Sequence, residues 1–111
     1  MEKMDMTLRK VCDTFNVSRR AIQGYEKAEL ISASGKNEYG HLLYNESVQK
    51  RIERIKLYQQ MGFTIKEIKG IIDAPDDVLK SQLEKQVKKL KEKRENVELL
   101  IIKVNKLIET L

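Results

Sequence analysis

The stretch NVSRRAIQGYEKAELI, residues 16–31, decides the fold, because one short helix ends just before it and another begins within it. Before it, apolar residues recur at helical spacing and predict a helix over about residues 7–15. Asn16 interrupts that spacing, and Ser18 is a favourable N-cap for a second helix over about residues 18–27. Two short helices with a tight break between them indicate a helix-turn-helix.

The segment after the second helix predicts a small β-hairpin, which we call the wing. We expect Leu30-Ile31 to pair with residues 41–44 across a turn that is rich in glycine and asparagine. Two further helices are predicted, one over about residues 46–61 and one that begins at Thr64 with a T-x-x-E capping box. The first part of the chain, residues 1–74, is therefore predicted to be a mainly α winged helix-turn-helix domain.

Residues 75–111 predict one long C-terminal helix, because Pro75 and two acids form a typical helix start and neither glycine nor proline follows. Apolar residues along it alternate spacings of four and three, which is the heptad pattern of a coiled coil. The chain offers no other element of that length to cover this stripe, so we expect a second copy to do so. The predicted dimerisation residues are Leu83, Val87, Leu90, Arg94, Val97, Ile101, Val104, Ile108 and Leu111.

Charge along this helix favours an antiparallel coiled-coil dimer. Residues 80–94 carry a net charge of +5, whereas residues 95–111 carry −1. A parallel pair would place the two basic halves side by side, whereas an antiparallel pair places each basic half beside the other segment. We therefore expect Arg94 near the centre of the coil, with Glu98 of the other copy as a candidate partner.

Composition argues against several classes of function. The chain has one cysteine and one histidine, so neither an internal disulfide nor a Cys/His zinc site can form within it. No Ser/His/Asp set and no glycine-rich phosphate loop is evident, so we expect neither catalysis nor a cofactor. No apolar run is long enough to cross a membrane, and we expect a cytoplasmic protein. Cys12 is expected to be a small buried hydrophobe rather than a sensor.

The second helix carries side chains that suit DNA recognition. Arginine forks onto guanine O6 and N7, and glutamine pairs with adenine N6 and N7. Residues 9–27 contain five basic and two acidic residues, so positive charge is concentrated where docking would need it. A solvated helix face explains the two arginines equally well. The predicted DNA-binding residues of this helix are Ser18, Arg19, Arg20 and Gln23.

The wing offers four further candidates for DNA contact. A hairpin of this kind usually rests on the phosphate backbone and sets the register of docking. An ordinary surface turn is the simpler alternative. The predicted wing contacts are Lys36, Asn37, Tyr39 and His41.

Three motifs resemble those of the MerR family of bacterial transcription regulators. Residues 16–31 resemble V-S-x-x-T-I-R-Y-Y-E-x-x-G-L-I, and residues 61–68 resemble L-G-F-S-L-x-E-I. Between them, Gly40, Leu43 and Tyr44 resemble the wing motif G-Y-R-x-Y. Three motifs in the right order make the resemblance specific.

The resemblance implies a winged-helix domain, an antiparallel coiled-coil dimer and a pseudo-palindromic operator in double-stranded DNA. The family often bends and untwists promoters with overlong spacers, so RNA polymerase is a further candidate partner. By motif position, Arg19 and Arg20 are variable base-reading residues, and Tyr25 matches a tyrosine that approaches the DNA backbone.

The chain departs from the family pattern at several expected DNA contacts. Gln23 and Gly24 replace the usual Arg and Tyr, Glu29 replaces a glycine, and His41-Leu42 replace the Tyr-Arg of the wing. Gly24 either lets the backbone approach DNA closely or is simply tolerated. We expect either weaker anchoring or compensation by other cations, namely Lys27, Lys36 and the basic third helix with Lys50, Arg51, Arg54 and Lys56.

Two questions of partner and signal stay open from the residues. The family's metal and redox sensors carry cysteines around the dimer helix, and its drug sensors carry a large C-terminal domain. We expect a short member without an effector-binding domain. The apolar run 99–102 is expected to pack on helices three and four of the partner, or else to dock another protein or a small apolar ligand. Two rival hypotheses are a non-enzymatic interaction protein, such as an antitoxin or adaptor, and an architectural DNA binder, such as a phage excision factor.

Overall fold

The computed structural model describes residues 5–111, in which five α-helices and one three-stranded sheet occur. Contacts divide the chain between Asp73 and Ala74 into two units, which are described separately. The elements are β1 Met6–Thr7, α1 Leu8–Phe15, α2 Arg19–Lys27, β2 Gly35–Lys36, β3 Leu42–Tyr44, α3 Glu46–Gln60, α4 Ile65–Ile71 and α5 Asp76–Glu109.

Local capping signals set the starts of three helices in the first unit. Ser18 caps α2 and Asn45 caps α3, each accepting a hydrogen bond from the backbone N–H three residues further on. At α4, Thr64 and Glu67 form the reciprocal capping box, with bonds of 2.9 and 3.2 Å. The predicted starts of these three helices are confirmed.

The observed sheet has three strands, whereas the sequence predicted a hairpin of two, and the first strand of the wing lies elsewhere in the chain than predicted. β3 lies between β1 and β2 and is antiparallel to both. The first strand of the wing is β2, so the prediction that Leu30-Ile31 forms this strand is wrong. Both residues instead lie in the core, with 3% and 7% of their surfaces exposed. The turn that ends α2 directs the chain back towards the core at this point, so Leu30 and Ile31 pack there. β1 was not predicted, since two residues are too few to show alternation.

The core of the first unit consists of aliphatic and aromatic side chains from α1–α4 and the segments between them. Val11 is fully buried in α1, whereas Cys12 beside it is partly exposed, so the expected burial of the thiol is only partial. The buried apolar residues are Val11, Ile22, Tyr25, Leu30, Ile31, Tyr44, Ile52, Ile55, Tyr58, Phe63, Ile68, Ile71 and Ile72.

The second unit is the single helix α5, as the sequence predicted. Its 34 residues rise about 1.5 Å each and give a length of roughly 50 Å. All residues from 87 to 111 are exposed, including the apolar ones of the heptad stripe. A continuous exposed apolar surface of this kind marks an interaction surface. Within residues 5–111, no helix has both the length and the apolar character that crossing a membrane requires.

Candidate nucleic-acid interface

The helix α2 is anchored to the body of the domain through its inner face. Ile22 and Tyr25 are buried there, and the Tyr25 hydroxyl donates to Gln59 Oε1 of α3 at 2.6 Å. Burial raises the pKa of the Tyr25 phenol, so the hydroxyl keeps the proton that it donates. The helix is therefore held in a fixed orientation by packing and by a bond to α3.

The outer face of α2 is exposed and basic. Arg19, Arg20, Gln23 and Lys27 lie on this face, which is opposite to the buried pair, and all four are exposed. Ser18 at the N-terminal end accepts a bond from the Ala21 N–H at 2.9 Å. The arrangement presents forked donors and an amide at the end of the helix that a major groove would admit first.

The wing turn is shaped by Asn37. Its Oδ1 accepts hydrogen bonds from the backbone N–H groups of Tyr39 and His41, both at 2.9 Å. Gly40 has a φ of 80°, the left-handed backbone that closes such turns. Lys36, Tyr39 and His41 are exposed, and the Tyr39 and His41 rings lie 6.4 Å apart. Of the four predicted wing residues, Asn37 therefore builds the turn and the other three project from it.

A cleft of about 410 Å³ joins the wing to α1 and α2. It forms because Thr7 of β1 pairs with Leu43 of β3, which brings the start of α1 beside the wing. Arg9 was missed as a site residue, since its only sequence signal is membership of a basic segment. We call this space the α1–wing cleft, and its lining residues are Leu8, Arg9, Arg19, Gly40, His41 and Leu42.

Tyr25 does not lie with the other predicted DNA contacts. Only 2% of its surface is exposed, and its hydroxyl is directed to Gln59 inside the domain. A contact between this hydroxyl and DNA would require the side chain to leave the core. Tyr25 therefore anchors α2 and is not part of the exposed surface that could contact DNA.

Arg51 of α3 bonds the protein's own groups. Its Nε–H donates to the Leu30 carbonyl, and its two terminal nitrogens donate to both oxygens of Asp73, at 2.6 and 2.8 Å. These hydrogen bonds hold the pKa of the Asp73 carboxyl below its usual value and raise the pKa of Arg51. This guanidinium ties α3 to the end of α2 and to the segment after α4.

Arg54 and Lys56 are engaged within the domain as well. Arg54 donates to the Ile72 carbonyl at 3.1 Å, and the Lys56 ammonium donates to the carbonyls of Phe15 and Asn16 at the end of α1. A cation at a helix C-terminus satisfies carbonyls that have no partner inside the helix. The expectation that α3 compensates for missing DNA contacts is therefore not supported for three of its four cations.

Comparison with known proteins places the chain in a family. Residues 6–75 match the family model of MerR HTH family regulatory proteins, and residues 49–111 match the model described as MerR, DNA binding. The chain belongs to the MerR family. Residues 5–111 contain no group of three or more His, Cys, Asp or Glu side chains that could hold a metal ion.

Two bacterial regulators are similar to this chain in sequence. The HTH-type transcriptional activator mta of Bacillus subtilis (strain 168) is 28% identical over 98 residues, which cover 88% of this chain and 38% of that protein. The mercuric resistance operon regulatory protein of Bacillus cereus is 29% identical over 73 residues, covering 66% and 55%. The chain thus matches about two-fifths to just over half of the length of these relatives.

Solved structures of the family share the architecture. The N-terminal part of the Bacillus subtilis multidrug transporter activator, MtaN, superposes with a TM-score of 0.79 at 25% identity, covering 93% of this chain and 97% of that one. HiNmlR, a MerR family regulator lacking the sensor domain and bound to promoter DNA, gives 0.67 at 21% identity, covering 88% and 79%. The second likeness concerns the fold alone.

One departure from the MerR pattern places a strained residue at the end of α2. Glu29 stands where the family has glycine, and its φ is 62°, in the left-handed region. Its N–H donates to the Glu26 carbonyl and the Leu30 N–H donates to the Tyr25 carbonyl, both at 2.9 Å. These are the two bonds of a Schellman motif, in which glycine is preferred because a side chain disfavours the left-handed backbone.

Two other departures from the MerR pattern change the surface. Gly24 replaces a tyrosine on the exposed side of α2, and a Cβ built there would meet no atom within 4 Å. Packing within the described chain therefore does not require a glycine. Leu42 replaces the wing arginine, and it lines the α1–wing cleft together with Arg9 and Arg19.

Proposed function

We propose that this chain is a sequence-specific, DNA-binding transcription regulator that acts as a homodimer. The observation that carries the proposal is the fixed orientation of α2, which is buried through Ile22 and exposes Arg19, Arg20 and Gln23 on its outer face. Membership of a family of regulatory proteins supports it. Such a protein would act in the cytoplasm, where a bacterial regulator meets its promoter.

The proposed contacts divide by type. Arg19, Arg20 and Gln23 read base edges in the major groove, because these side chains carry the donors and acceptors that match guanine and adenine. Ser18 lies at the same end of α2, where its hydroxyl can still donate to a phosphate. The proposed wing contacts to the phosphate backbone are Lys36, Tyr39 and His41, with Asn37 holding the turn.

The proposed dimer is an antiparallel coil of two α5 helices. Leu83 of the heptad stripe is partly exposed, and the other stripe residues from Val87 to Leu111 are exposed and in line for a partner helix. A two-fold dimer reads an inverted repeat, with half-sites spaced by whole turns of DNA or by a distorted spacer. Deformation of a promoter in this way would present it to RNA polymerase.

Selection of duplexes from random DNA by the purified protein, at two salt concentrations, tests the proposal. We expect an inverted repeat, and we expect Arg20→Ala to weaken binding roughly 5- to 150-fold and to relax the sequence preference at one position per half-site. Weak, salt-sensitive binding without any enriched sequence would favour an architectural binder, and no binding would favour an interaction protein. Either result would contradict the proposal.

The dimer has a matched pair of test variants at adjacent isoleucines. Ile101 lies on the heptad stripe and Ile102 lies off it, yet they are 54% and 51% exposed. Ile101→Glu should shift the protein towards monomer in sedimentation equilibrium, since it places a carboxylate in the seam, whereas Ile102→Glu should weaken the dimer less because Ile102 lies off the stripe. Equal effects of the two changes would contradict the assigned stripe. Cysteine pairs that crosslink matching ends of α5 would contradict the antiparallel arrangement.

A further inference from the structure

The α1–wing cleft has the chemistry of an anion site. Two guanidinium groups, from Arg9 and Arg19, and the imidazole of His41 line it, and no acidic side chain is among its lining residues. Guanidinium groups are permanent cations that donate in a fork matching phosphate oxygens. Leu8 and Leu42 complete the walls with apolar surface. Because none of the lining side chains is a carboxylate, none of them competes with an external anion for the two guanidinium groups.

Sheet pairing brings Arg9 to this place. The antiparallel register pairs Thr7 with Leu43, so the residues that follow Thr7 lie beside those that precede Leu43. Arg9 therefore reaches the wing at the position of His41 and Leu42, although about 30 residues separate them in sequence. Arg9 therefore belongs to α1 in sequence, but its side chain forms part of the surface of the wing.

Within the part of the chain that the structure describes, Arg9 and Arg19 lack the intramolecular partners that three cations of α3 have. Arg51, Arg54 and Lys56 donate to carbonyl or carboxylate groups inside the domain. Among the ion pairs of residues 5–111, by contrast, none involves Arg9 or Arg19. Both guanidinium groups line an open cleft and are available to an external anion.

We infer that the α1–wing cleft holds a backbone phosphate of the DNA that α2 reads, and that Arg9 neutralises this phosphate. The inference rests on the proposed function. DNA is the occupant that the position favours, because Arg19 belongs both to the cleft and to the exposed face of α2, so the two surfaces are continuous. Leu42 contributes no charge to the cleft, and Arg9 of α1 supplies a permanent cation beside it.

Arg9→Ala and Lys10→Ala form the test pair, because both residues are exposed, adjacent and cationic, and only Arg9 lines the cleft. Binding to the selected operator is measured over a range of salt concentrations. Arg9→Ala should reduce the slope of log K against log salt by about 0.9, the loss of one neutralised phosphate, and Lys10→Ala should change it much less. Arg9→Lys should restore the slope while recovering only part of the affinity, since lysine lacks the fork.

A methylphosphonate scan of the operator locates the contact. Each backbone phosphate is replaced in turn by an uncharged methylphosphonate, and the affinity of the wild-type protein is compared with that of Arg9→Ala. At one phosphate per half-site, the replacement should weaken wild-type binding roughly 10-fold and weaken Arg9→Ala much less, because the charge-assisted bond from Arg9 is already absent in that variant. Far-UV circular dichroism checks that each variant is folded.

Two results would overturn the inference while leaving the proposed function intact. In the first, the wild-type protein selects an operator, but Arg9→Ala and Lys10→Ala reduce the salt slope by the same amount. Equal reductions would mean that Arg9 acts through the general positive field and not through a specific phosphate. The other is a scan in which no methylphosphonate is coupled to Arg9. Failure of the wild-type protein to select any DNA would instead overturn the proposed function itself.

Discussion

Replacing Glu29 by glycine should stabilise the protein, although it removes a charged side chain and an ion pair. Glu29 ends α2 with a φ of 62°, a backbone that residues with a Cβ adopt only under strain. Gly62 ends α3 in the same way, with a φ of 99° and the same pair of hydrogen bonds from residues 62 and 63. The chain therefore contains one Schellman end with glycine and one without.

The magnitude follows from three opposing effects. Relief of the left-handed strain contributes about 1–2 kcal/mol to the free energy of unfolding. The larger backbone entropy of glycine in the unfolded chain removes about 0.5–1 kcal/mol. The ion pair of Glu29 with Lys69 spans 3.8 Å, and its two side chains are 84% and 54% exposed, so its loss removes roughly 0–0.5 kcal/mol. We expect a net gain of about 0.5 kcal/mol for Glu29→Gly, summed from these terms.

The assay is urea unfolding followed by circular dichroism, at fixed protein concentration because a dimer gains stability by mass action. Gly62→Ala is the mirror control, and it should lose about 1 kcal/mol, since it introduces the strain that Glu29→Gly relieves. Glu29→Ala keeps the left-handed strain and removes the ion pair, so it should be neutral or slightly destabilising.

One outcome would show that the backbone of Glu29 is not strained. If Glu29→Gly were no more stable than Glu29→Ala, while Gly62→Ala lost stability as expected, then Glu29 would not be strained. The ends of α2 and α3 would then differ in energy for a reason other than their φ angles. A change of urea m-value in either variant would instead indicate a change in the surface exposed on unfolding.

Three further changes test other parts of the domain. Gly24→Ala should raise stability by about 1 kcal/mol in thermal unfolding, because an exposed helix interior with open space favours alanine; a loss would mean that the glycine is needed for folding. Arg51→Ala should lower urea stability by about 2–3 kcal/mol, whereas Asp73→Asn should lose less than about 1 kcal/mol because that carboxylate is 71% exposed. Burial and the 2.5 Å hydrogen bond to Glu26 raise the pKa of Tyr44 above 10.0, so the folded state retains a proton that the unfolded chain loses at high pH. Stability should therefore fall as pH rises above about 10, and it should fall less in Tyr44→Phe; equal falls would contradict the role of this phenol.

The helices of the first unit were predictable because their signals are local. Ser18 and Asn45 cap α2 and α3 as expected, and the Thr64 capping box begins α4. A cap joins groups three residues apart, so its whole physics lies within a short window of sequence. The heptad spacing of α5 is equally local, since it depends only on the helical period.

The short strands and the partners of the basic residues were not predictable in the same way. β1 has two residues, and its pairing with β3 joins positions separated by more than 30 residues. Leu30 and Ile31 have the composition of a strand, yet core packing holds them outside the sheet. The sequence shows Arg51 as a cation on a helix, but it cannot show that Asp73 lies within reach.

The sequence by itself determined the order and type of the helices, the exposed basic face of α2 and the apolar stripe of α5, because helical period and capping are properties of neighbouring residues. Only the tertiary structure decided which cations face outward. In the folded domain, Arg51, Arg54 and Lys56 donate hydrogen bonds to carbonyl or carboxylate oxygens of the same domain, whereas Arg9 lies in the open cleft beside the wing. The physical reason is that a charge is satisfied by whatever group the fold brings within a few ångströms, and distance in space between segments far apart in the chain is fixed only when the core is packed.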